Sequence, residues 1–445
     1  MSENRENAGS TRREFIRSAA VTTVAGALAT SVMPTTAAAM RRVLGANDRI
    51  NIGHVGLGTQ GFGAHVRLLH QHEKDNNTQQ IACCDLYGRR IRDTQKELNL
   101  TDSQCYTDFR KMFENKDIDA VVVATSDNWH AGVSLAALQS GKHVYCEKPM
   151  CKTLEEGFAL YDTVKKTGKI FQVGSQGCTD EKYKAVAKLI KAGKVGHVIV
   201  GQGNYMRSDN KKGEWNDYGR FDLDAGPTAG GDARVDWDTF RKGTQPAAWD
   251  PDRYFRWRKY WEYGSGLVGD LLPHKLHPLF IAMDVPTDGL NGFPLRVSSG
   301  GGLYVQKTNP QTNKPDREVP DFIYVNADFG DYSIMAMSSC VNEEGWPDSI
   351  RGNKATILFS GDSIIVKPER GYADEIDPSK DQAPGDGEHI EAHEKNWLDC
   401  IRTNGVPNAN IDLAIRVQVI ITLAERSYRE SKTFTFDPKT RTARG

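Results

Sequence analysis

Short apolar runs alternate with longer stretches of helical periodicity between residues 48 and 175. The apolar runs lie at 50–55, 80–84, 120–124, 143–146 and 170–173. Two stretches, 81–84 and 120–124, are apolar without alternation, which is typical of parallel strands that helices cover on both faces. The pattern therefore predicts an α/β fold whose N-terminal part is a doubly wound parallel sheet.

The pattern changes after residue 175. Residues 205–263 are dense in Trp, Tyr, Asp, Arg and Gly with little periodicity, which predicts long ordered loops that line a cleft. Helices are predicted at 181–192, 393–403 and 412–429, strands at 303–305, 322–329, 334–338, 355–359 and 363–366, and loops at 307–318 and 377–387. The sequence thus predicts a C-terminal α/β region with an open, mostly antiparallel sheet.

A glycine-rich turn joins the first predicted strand to an amphipathic helix. It reads Gly56-x-Gly58-x-x-Gly61, with Thr59 and Gln60 between the last two glycines. Bare backbone lets an anion approach, and the N-terminus of the helix favours negative charge. The turn predicts a pyrophosphate site for a dinucleotide, and a tight turn without a ligand is the alternative.

A carboxylate, Asp85, ends the second predicted strand. At this position a carboxylate accepts the ribose hydroxyls of the adenosine and repels a 2′-phosphate, which favours NAD over NADP. Arg89 and Arg90 follow closely. Either they pair with a phosphate, which keeps NADP possible, or they are exposed arginines in the first turn of a helix.

Glu147, Lys148 and Pro149 follow the fourth predicted strand. The carboxyl ends of such strands face the ligand crevice of the fold. A lysine there, next to a nicotinamide cation, is expected to have a lowered pKa and to act as a base or proton relay. The alternative is a solvated Glu–Lys pair in a loop.

Two further segments read Thr125-Ser-Asp-Asn-Trp-His130 and Gly264-Ser-Gly-Leu-Val-Gly-Asp270-Leu-Leu-Pro-His274. Together with the motifs above, they resemble the Gfo/Idh/MocA oxidoreductase family from residue 48 to about 430. The resemblance implies an NAD(P)-binding Rossmann domain at 48–175 and a substrate-binding and oligomerisation α/β domain at 176–430. It also implies a dimer or tetramer. Members act on a hydroxyl of a sugar or polyol, and the resemblance assigns Lys148, Asp270 and His274 as the catalytic group.

The chemistry of these three residue types supports the assignment. Asp270 and His274 are four residues apart, so on a helix they share one face. His274 can take the hydroxyl proton, Asp270 can orient the imidazole or position a second hydroxyl, and Lys148 can polarise the reacting oxygen. The alternative for Asp270 is a helix N-cap ahead of Pro273.

Further cofactor contacts are expected from the ends of the third and fourth strands, at Thr125, Asn128, His130, Glu147 and Lys148. The family commonly has Thr-Pro-Asn where this chain has Thr125-Ser-Asp, so these contacts depart from the family pattern. Trp129 and His130 are either on the nicotinamide side of the site or part of the packing at a helix start.

His277 stands where the family commonly has an acidic residue. Its spacing from Asp270 and His274 is compatible with a metal site. A polar helix face without a metal is the preferred interpretation, because the sequence offers no evident fourth ligand.

An aromatic and basic cluster precedes the Asp270 motif. Aromatic faces stack on the C–H faces of sugars, and arginines bind hydroxyls or carboxylates. The cluster is either a carbohydrate cleft or structural packing under a long loop. Its members are Trp215, Arg256, Trp257, Arg258, Tyr260 and Trp261.

The composition excludes some functions. The 445 residues carry a net charge of −1 and 26% charged residues, so no basic field for nucleic acid is present. The eight cysteines contain no C-x-x-C pair and are expected to be free core thiols.

Residues 1–39 resemble a twin-arginine export signal, with Arg12-Arg13, a weakly apolar stretch at 19–32 and alanines at 37–39. A disordered basic tail is the alternative. The apolar stretch is too short for a confident membrane span, so no stable anchor is expected. Export of a folded protein to the periplasm, which has no cofactor pool, predicts a tightly held, recycling NAD(P).

Two functions follow from the sequence. The first is an exported oxidoreductase that transfers hydride between the held cofactor and a sugar or polyol hydroxyl. The second is an NAD-dependent glycoside hydrolase or lyase that oxidises a ring hydroxyl, eliminates and returns the hydride. A non-catalytic binding module is disfavoured, because Lys148, Asp270 and His274 are all present.

Overall fold

A computed structural model describes residues 48–208, 213–241, 244, 247–383 and 387–445. The predicted export signal at 1–39 lies outside the described residues. The described chain is organised around two sheets, one of six strands and one of eleven.

The N-terminal sheet is parallel, with the strand order β3-β2-β1-β4-β5-β6. This confirms the predicted doubly wound sheet, and the order is that of dinucleotide-binding folds. The two-residue strand β3 is too short to leave a pattern in the sequence. The strands are β1 (Ile50–Val55), β2 (Thr78–Cys84), β3 (Cys105–Tyr106), β4 (Ala120–Val123), β5 (His143–Glu147) and β6 (Phe171–Gly174).

Helices cover both faces of this sheet and support the second one. The predicted helices at 181–192, 393–403 and 412–429 are observed as α7, α12 and α13. The helices are α1 (Arg67–Gln71), α2 (Glu73–Asn76), α3 (Gly88–Leu98), α4 (Phe109–Glu114), α5 (Asp127–Gln139), α6 (Leu154–Thr167), α7 (Glu181–Lys191), α8 (Trp237–Arg241), α9 (Pro251–Phe255), α10 (Gly266–Asp270), α11 (Pro273–Ala282), α12 (Ile390–Thr403) and α13 (Ile411–Glu430).

The second sheet is open and mostly antiparallel, as predicted, and its order is β15-β14-β13-β12-β7-β10-β9-β8-β16-β17. The pair β7 and β10 is parallel, and β11 pairs with β7 off this path. The strands are β7 (Val198–Ser208), β8 (Arg296–Gly302), β9 (Phe322–Asp328), β10 (Ser333–Ser339), β11 (Val341–Asn342), β12 (Ser349–Gly352), β13 (Ala355–Ser360), β14 (Ser363–Pro368), β15 (Ser379–Gln382), β16 (Phe434–Asp437) and β17 (Thr442–Arg444).

Seven strands of this sheet were not predicted from the sequence, and one predicted run is not a strand. The strands that were not predicted are β7, β8, β11, β12, β15, β16 and β17. The run 303–305 lies just beyond β8, whose own Ser- and Gly-rich sequence carries no strand signal, and β15 lies in the predicted loop 377–387. The eleven-residue β7 was missed because Gly201 and Gly203 weaken its pattern. A Cβ on Gly201 would lie 2.2 Å from the sulfur of Met283, so these glycines make room for α11 and the residue after it.

The helix α12 belongs to the core of the N-terminal sheet. Trp397 and Leu398 are fully buried in one cluster with Ile52 and Tyr145. A segment far along the chain therefore completes the face of the parallel sheet behind β1 and β5. No helix in the described part of the chain combines the length and apolar character that crossing a bilayer requires.

Candidate active site

A cavity of about 420 Å³ lies at the carboxyl ends of the parallel strands, in the size range of small-molecule sites. Most of the predicted site residues line it. They are Gly56, Gly58, Thr59, Gln60, Asp85, Arg90, Thr125, His130, Glu147, Lys148, Asp270 and His274. Among the described residues, Gly61 and Asn128 are not part of the wall.

The glycine turn has a separate physical reason for each glycine. Gly56 has a φ of 89°, and a Cβ on it would lie 2.5 Å from the backbone of Ala124. A Cβ on Gly61 would lie 1.9 Å from the carbonyl oxygen of Gly56, so Gly61 lets the π-helical segment Thr59–Val66 pack against the turn. Gly58 lines the cavity, where its backbone is bare. The turn thus leaves room for an anion near a helix N-terminus.

Asp85 ties the glycine turn to the end of β2. Its two carboxylate oxygens accept hydrogen bonds from the backbone N–H groups of Leu57, at 2.7 Å, and Tyr87, at 2.9 Å. Each carboxylate oxygen retains acceptor capacity toward the cavity that Asp85 lines. Asp85 is therefore positioned, by its own backbone partners, to accept further hydrogen bonds from a ligand.

The two neighbouring arginines face different surroundings. Arg89 donates to Asp224 at 2.8 Å and lies 3.3 Å from Asp222, so it is engaged with an acidic loop. The guanidinium of Arg90 lies in the cavity wall, over the ring of Tyr254 and 3.8 Å from Asp85. Only Arg90 of the pair therefore lines the cavity.

Three charged side chains meet at the other end of the cavity, and we call Lys148, Arg258 and Asp270 the cavity cluster. The ammonium of Lys148 donates to the Asp270 carbonyl at 2.7 Å and to its Oδ1 at 3.1 Å. Nε of Arg258 donates to the same Oδ1 at 3.2 Å. Burial opposes ionisation of Asp270, but the two cations outweigh it and lower the pKa of the carboxyl.

The protein's own residues shift the pKa of Lys148 in the direction opposite to the lowering predicted beside a nicotinamide cation. Burial lowers the pKa of this ammonium, but the carboxylates of Asp270 and Glu147 outweigh burial and raise the pKa above its ordinary value. Lys148 is therefore a charged donor in this site. The sequence pattern missed this because the decisive carboxylate lies 122 residues further along the chain.

His274 lies in the first turn of α11, whereas Asp270 ends α10. The two residues therefore do not share one helix face, and Leu272, not Asp270, occupies the N-cap position of α11. The carboxylate beside the His274 ring is Glu388, with an oxygen 3.3 Å from Nδ1. That nitrogen makes no hydrogen bond of good geometry within the described part of the chain.

Sequence reasoning missed Glu388 and Tyr205. Glu388 follows a polar predicted loop, and no motif marks it. Tyr205, on β7, lines the cavity with its ring centre 5.1 Å from that of His274. Its signal was weak because β7 itself was not predicted.

The imidazole of His277 makes its hydrogen bond within its own helix. Its Nδ1 lies 3.0 Å from the carbonyl oxygen of Pro273, and burial lowers its pKa to about 4. A neutral imidazole therefore donates to the backbone at this position. In the described part of the chain no group of three or more His, Cys, Asp or Glu side chains is arranged to hold a metal.

The segment after β4 contacts protein groups on both sides. The ring nitrogens of His130 face the carbonyl oxygens of Pro149, at 2.7 Å, and Thr125, at 3.1 Å. Asn128 and Trp129 donate to the carbonyl oxygen of Phe240 at 3.3 and 3.1 Å. His130 and Trp129 also line the cavity, so they combine packing with a place in the wall.

The predicted aromatic and basic cluster divides into two parts. Trp257 and Arg258 line the cavity, and the Arg258 guanidinium lies between the rings of Trp257, at 4.2 Å, and Tyr218, at 4.8 Å. Arg256 instead donates to backbone carbonyls of the long loop. Trp261 packs against Tyr428. Part of the cluster therefore lines the cavity, and part is structural packing.

Residues 218–241, which we call the strap, cross from the long loop onto the N-terminal sheet and contribute to the cavity wall. Backbone hydrogen bonds join Asp236 to Leu86 and Gly88 to Arg234. Three side-chain contacts add to them: Arg89 with Asp224, Arg220 with Asp93, and the hydroxyl of Tyr87 with Asp222. The strap is thus attached directly after Asp85.

Solved structures with a similar fold include levoglucosan dehydrogenase in complex with NADH and levoglucosan, with a TM-score of 0.63 and 18% identity over 86% of this chain and 98% of that chain. Another is the aldose-aldose oxidoreductase from Caulobacter crescentus in complex with glycerol, with a TM-score of 0.60 and 17% identity over 87% of this chain and all of that chain. Similarity at this level of identity shows the fold.

Curated relatives match the chain over part of its length. Glycosyl hydrolase family 109 protein 1 of Bacteroides fragilis strain YCH46 is 33% identical over 169 residues, 36% of this chain and 35% of that protein. Glycosyl hydrolase family 109 protein 2 of Shewanella sp. strain ANA-3 is 27% identical over 232 residues, 46% of this chain and 50% of that protein. The chain spans half or less of the length of these relatives.

Two family models cover most of the described chain. The model of the oxidoreductase family, NAD-binding Rossmann fold, matches residues 50–175. The model of the oxidoreductase family, C-terminal alpha/beta domain, matches residues 244–436. The chain therefore belongs to the Gfo/Idh/MocA oxidoreductase family and has its NAD-binding Rossmann domain.

Proposed function

We propose that this protein is an exported oxidoreductase that transfers hydride between a tightly held NAD and a hydroxyl of a sugar or polyol. The observation that carries the proposal is one shared cavity. Lys148 and His274 line the same space as the bare backbone of Gly56 and Gly58. A candidate proton acceptor, a charged donor and the glycine turn thus line one cavity, which supports the proposal.

The cavity wall fits NAD. The glycine turn would hold the pyrophosphate, Asp85 would accept the ribose hydroxyls, and Lys148 would lie at the nicotinamide end. When bound, the nicotinamide ring supplies the acceptor or donor of hydride. Thr125, His130 and Glu147 complete the wall between the two ends.

The side chains divide the proton chemistry between them. His274 accepts the hydroxyl proton, and Glu388 stabilises the imidazolium that forms, because its carboxylate lies 3.3 Å from Nδ1. The charged ammonium of Lys148 donates to the reacting oxygen and stabilises negative charge that develops there. Asp270 holds Lys148 and Arg258 in place.

The strap supports the tightly held state of the cofactor. It adds Tyr218, Arg220 and Phe240 to the cavity wall and is joined by ion pairs to α3. A dinucleotide under this segment leaves only after these contacts open. Such retention of the cofactor suits a protein that is exported after the cofactor is bound, as the N-terminal sequence predicts.

The proposal also includes an assembly of two or four copies of the chain.

Extraction tests the proposal. Purified protein is denatured, and nicotinamide dinucleotide in the extract is quantified by mass spectrometry. The expected result is close to one NAD or NADH per chain, and a panel of sugars and polyols should give a keto product. An extract free of nicotinamide would remove the tightly held cofactor from the account, and absence of any keto product would remove the redox reaction.

A second function is favoured by the curated relatives, which are named glycosyl hydrolase family 109 proteins. In this case a ring hydroxyl would be oxidised to a ketone, the aglycone would leave by elimination, water would add to the resulting double bond and the hydride would return to the ketone, so no net redox change would occur. Incubation with aryl glycosides distinguishes the two functions. Release of the aglycone without net NADH supports the glycosidase, whereas a stable keto-sugar supports the oxidoreductase.

A further inference from the structure

Two cysteines lie opposite each other at the edge of the parallel sheet. The edge strand β3 pairs with β2 through two residue pairs, Cys83 with Cys105 and Cys84 with Tyr106. Because paired residues of neighbouring strands point to the same face of a sheet, the thiols of the first pair meet. Their sulfur atoms are 3.7 Å apart. All eight cysteines of the chain lie among the described residues, and all are free thiols.

The backbone around this pair suits a disulfide bond. A disulfide requires Cα atoms about 4.4–6.8 Å apart, and neighbouring strands are spaced about 4.8 Å apart. The register already places Cys83 opposite Cys105, so the strands need no rearrangement. Rotation of the two side chains about their Cα–Cβ bonds brings the sulfur atoms toward the bonded distance of about 2.05 Å.

The two thiols differ in their access to solvent. Cys83 is fully buried in a cluster with Leu57 and Val66, whereas Cys105 is half-buried at the border of that cluster. Cys83 donates a hydrogen bond to the sulfur of Cys105, and this bond lowers the pKa of Cys105, although burial and Asp102 oppose the shift. Cys105 is therefore the sulfur that an oxidant reaches and the one with the larger thiolate fraction.

We propose that Cys83 and Cys105 are the site of a redox-sensitive disulfide, formed by exchange with an oxidant that itself carries a disulfide. The thiolate of Cys105 attacks the oxidant, and one sulfur of the oxidant leaves. The sulfur of Cys83 then gives up its proton and attacks Cys105 in the mixed disulfide, which releases the second sulfur of the oxidant. Two cysteine thiols are thereby oxidised to one disulfide, and the oxidant is reduced to two thiols, which take up the two protons through solvent.

The bond closes segment 83–105, which carries Asp85 and the helix α3. The backbone N–H of Asp85 donates to the carbonyl oxygen of Tyr106 at 3.3 Å, so β3 supports the start of the loop after β2. In α3, Arg89 and Asp93 contact the strap. A cross-link at this place holds a two-residue edge strand on the sheet and restricts the unfolded chain, so oxidised protein should be the more stable form.

The inference is independent of the proposed function. Among the described residues that form the cavity wall, neither Cys83 nor Cys105 occurs. The periplasm, to which the proposed export would carry the protein, is a compartment where disulfides form and persist. Oxidation of the purified chain nevertheless tests the site without export, cofactor or substrate.

The experiment starts from fully reduced, full-length protein, which is exposed to oxidised glutathione and then quenched with acid. Free thiols are alkylated under denaturing conditions, and digestion followed by mass spectrometry identifies the products. The expected product is a pair of peptides cross-linked through Cys83 and Cys105, which dithiothreitol separates. Cys83→Ala should instead accumulate a mixed disulfide between glutathione and Cys105, because the second thiol is missing.

Cys84→Ala is the matched control and should keep the cross-link, since Cys84 packs in the larger core cluster, on the other face of the strand. Two results would overturn the inference. One is a mixed disulfide of Cys105 with glutathione that persists in the parent protein, which would show that Cys83 does not reach it. The other is a folded parent protein in which Cys83 and Cys105 are both still alkylated after oxidation.

The melting temperature tests the stabilising effect of the bond. Oxidation should raise the melting temperature of the parent protein by at least about 2 °C. Cys105→Ser, which changes the half-buried member of the pair, should lose the cross-link and melt at the same temperature with and without oxidant. An equal response to oxidant in the parent and in Cys105→Ser would reject the stabilising effect.

Discussion

The cavity cluster and a second, buried cluster are opposite arrangements on two sides of the Glu147–Lys148 peptide. In the cavity cluster one carboxylate lies between two cations, with side chains 12–18% exposed. In the buried cluster, formed by His65, Glu147 and Glu394, one imidazolium lies between two acids, and burial raises the pKa of one of them, Glu394, to about 7. Its side chains are 0–6% exposed. The same kind of ion pair thus appears once in the cavity and once behind it, and Glu147 belongs both to the buried cluster and to the cavity wall.

The difference in exposure separates two tasks. Groups in the cavity cluster can exchange a protein partner for a substrate oxygen, which chemistry requires. In the buried cluster His65 and Glu394 have no such exchange, since leaving a buried charge unpaired is costly. Their effect is to fix the charge and direction of a neighbour.

Removal of the proton acceptor should have the largest effect. His274→Ala should lower kcat by about 10² to 10⁴-fold, the usual contribution of a positioned general base. His277→Ala, one turn further along α11, is the matched control and should keep kcat near the parent value, because His277 contacts the backbone of Pro273. A loss below about tenfold in His274→Ala would reject the assigned role.

Neutralising the central acid of the cavity cluster should have the next largest effect. Asp270→Asn leaves two mostly buried cations without their carboxylate and should lower the free energy of unfolding by roughly 3 kcal/mol in urea titrations. Asp162→Asn, which removes an exposed pair with Arg441, should cost less than about 1 kcal/mol. Equal losses in the two variants would show that the cavity cluster behaves as an ordinary surface pair.

The buried cluster should be visible in the pH dependence of stability. Burial opposes the charge of His65, but Glu147 and Glu394 outweigh burial and raise the pKa of His65 to about 10 in the fold, from 6.5. The contribution of His65 is therefore fully present below pH 6.5 and is lost as the pH rises toward 10. Urea midpoints of the parent protein should therefore fall more steeply between pH 7 and 9.5 than those of His65→Gln. Parallel curves over this interval would contradict the charged state of His65.

Opening the strap should have the smallest effect on stability and a clear effect on cofactor retention. Arg89→Ala removes the contact with Asp224, and we expect faster loss of nicotinamide during gel filtration with an almost unchanged urea midpoint. Arg296→Ala, which removes an exposed pair with Asp328 on the second sheet, is the control. Equal retention in both variants would show that the strap does not hold the cofactor.

The residues that sequence reasoning found share one property: each lies in a short linear motif at the end of a strand or helix. Gly56, Gly58 and Lys148 follow strands whose unbroken apolar runs are easily recognised, and Asp270 and His274 lie in one glycine-rich segment. The parallel sheet was predictable for the same reason. Its boundaries differ from the predicted ones by only one or two residues.

What was missed depends on contacts between distant segments. His65 and Glu394 are 329 residues apart, and neither stands in a pattern that marks a site. The raised pKa of Lys148 has the same origin, since Asp270 comes from another part of the chain. The strand β7 was hidden by glycines that serve the packing of α11. Local sequence patterns therefore located the candidate site residues, whereas contacts between distant segments of the chain set the pKa values of their side chains.

We expect Lys148 and His274 to act together on a hydroxyl beside a cofactor that the protein already holds. The most direct measurement is absorbance at 340 nm after a sugar is added to purified protein without added NAD. The expected result is a single-turnover rise of up to one NADH per chain with at least one sugar or polyol, and no rise in Lys148→Met. An equal rise in Lys148→Met would contradict it, as would protein that contains no nicotinamide and binds none.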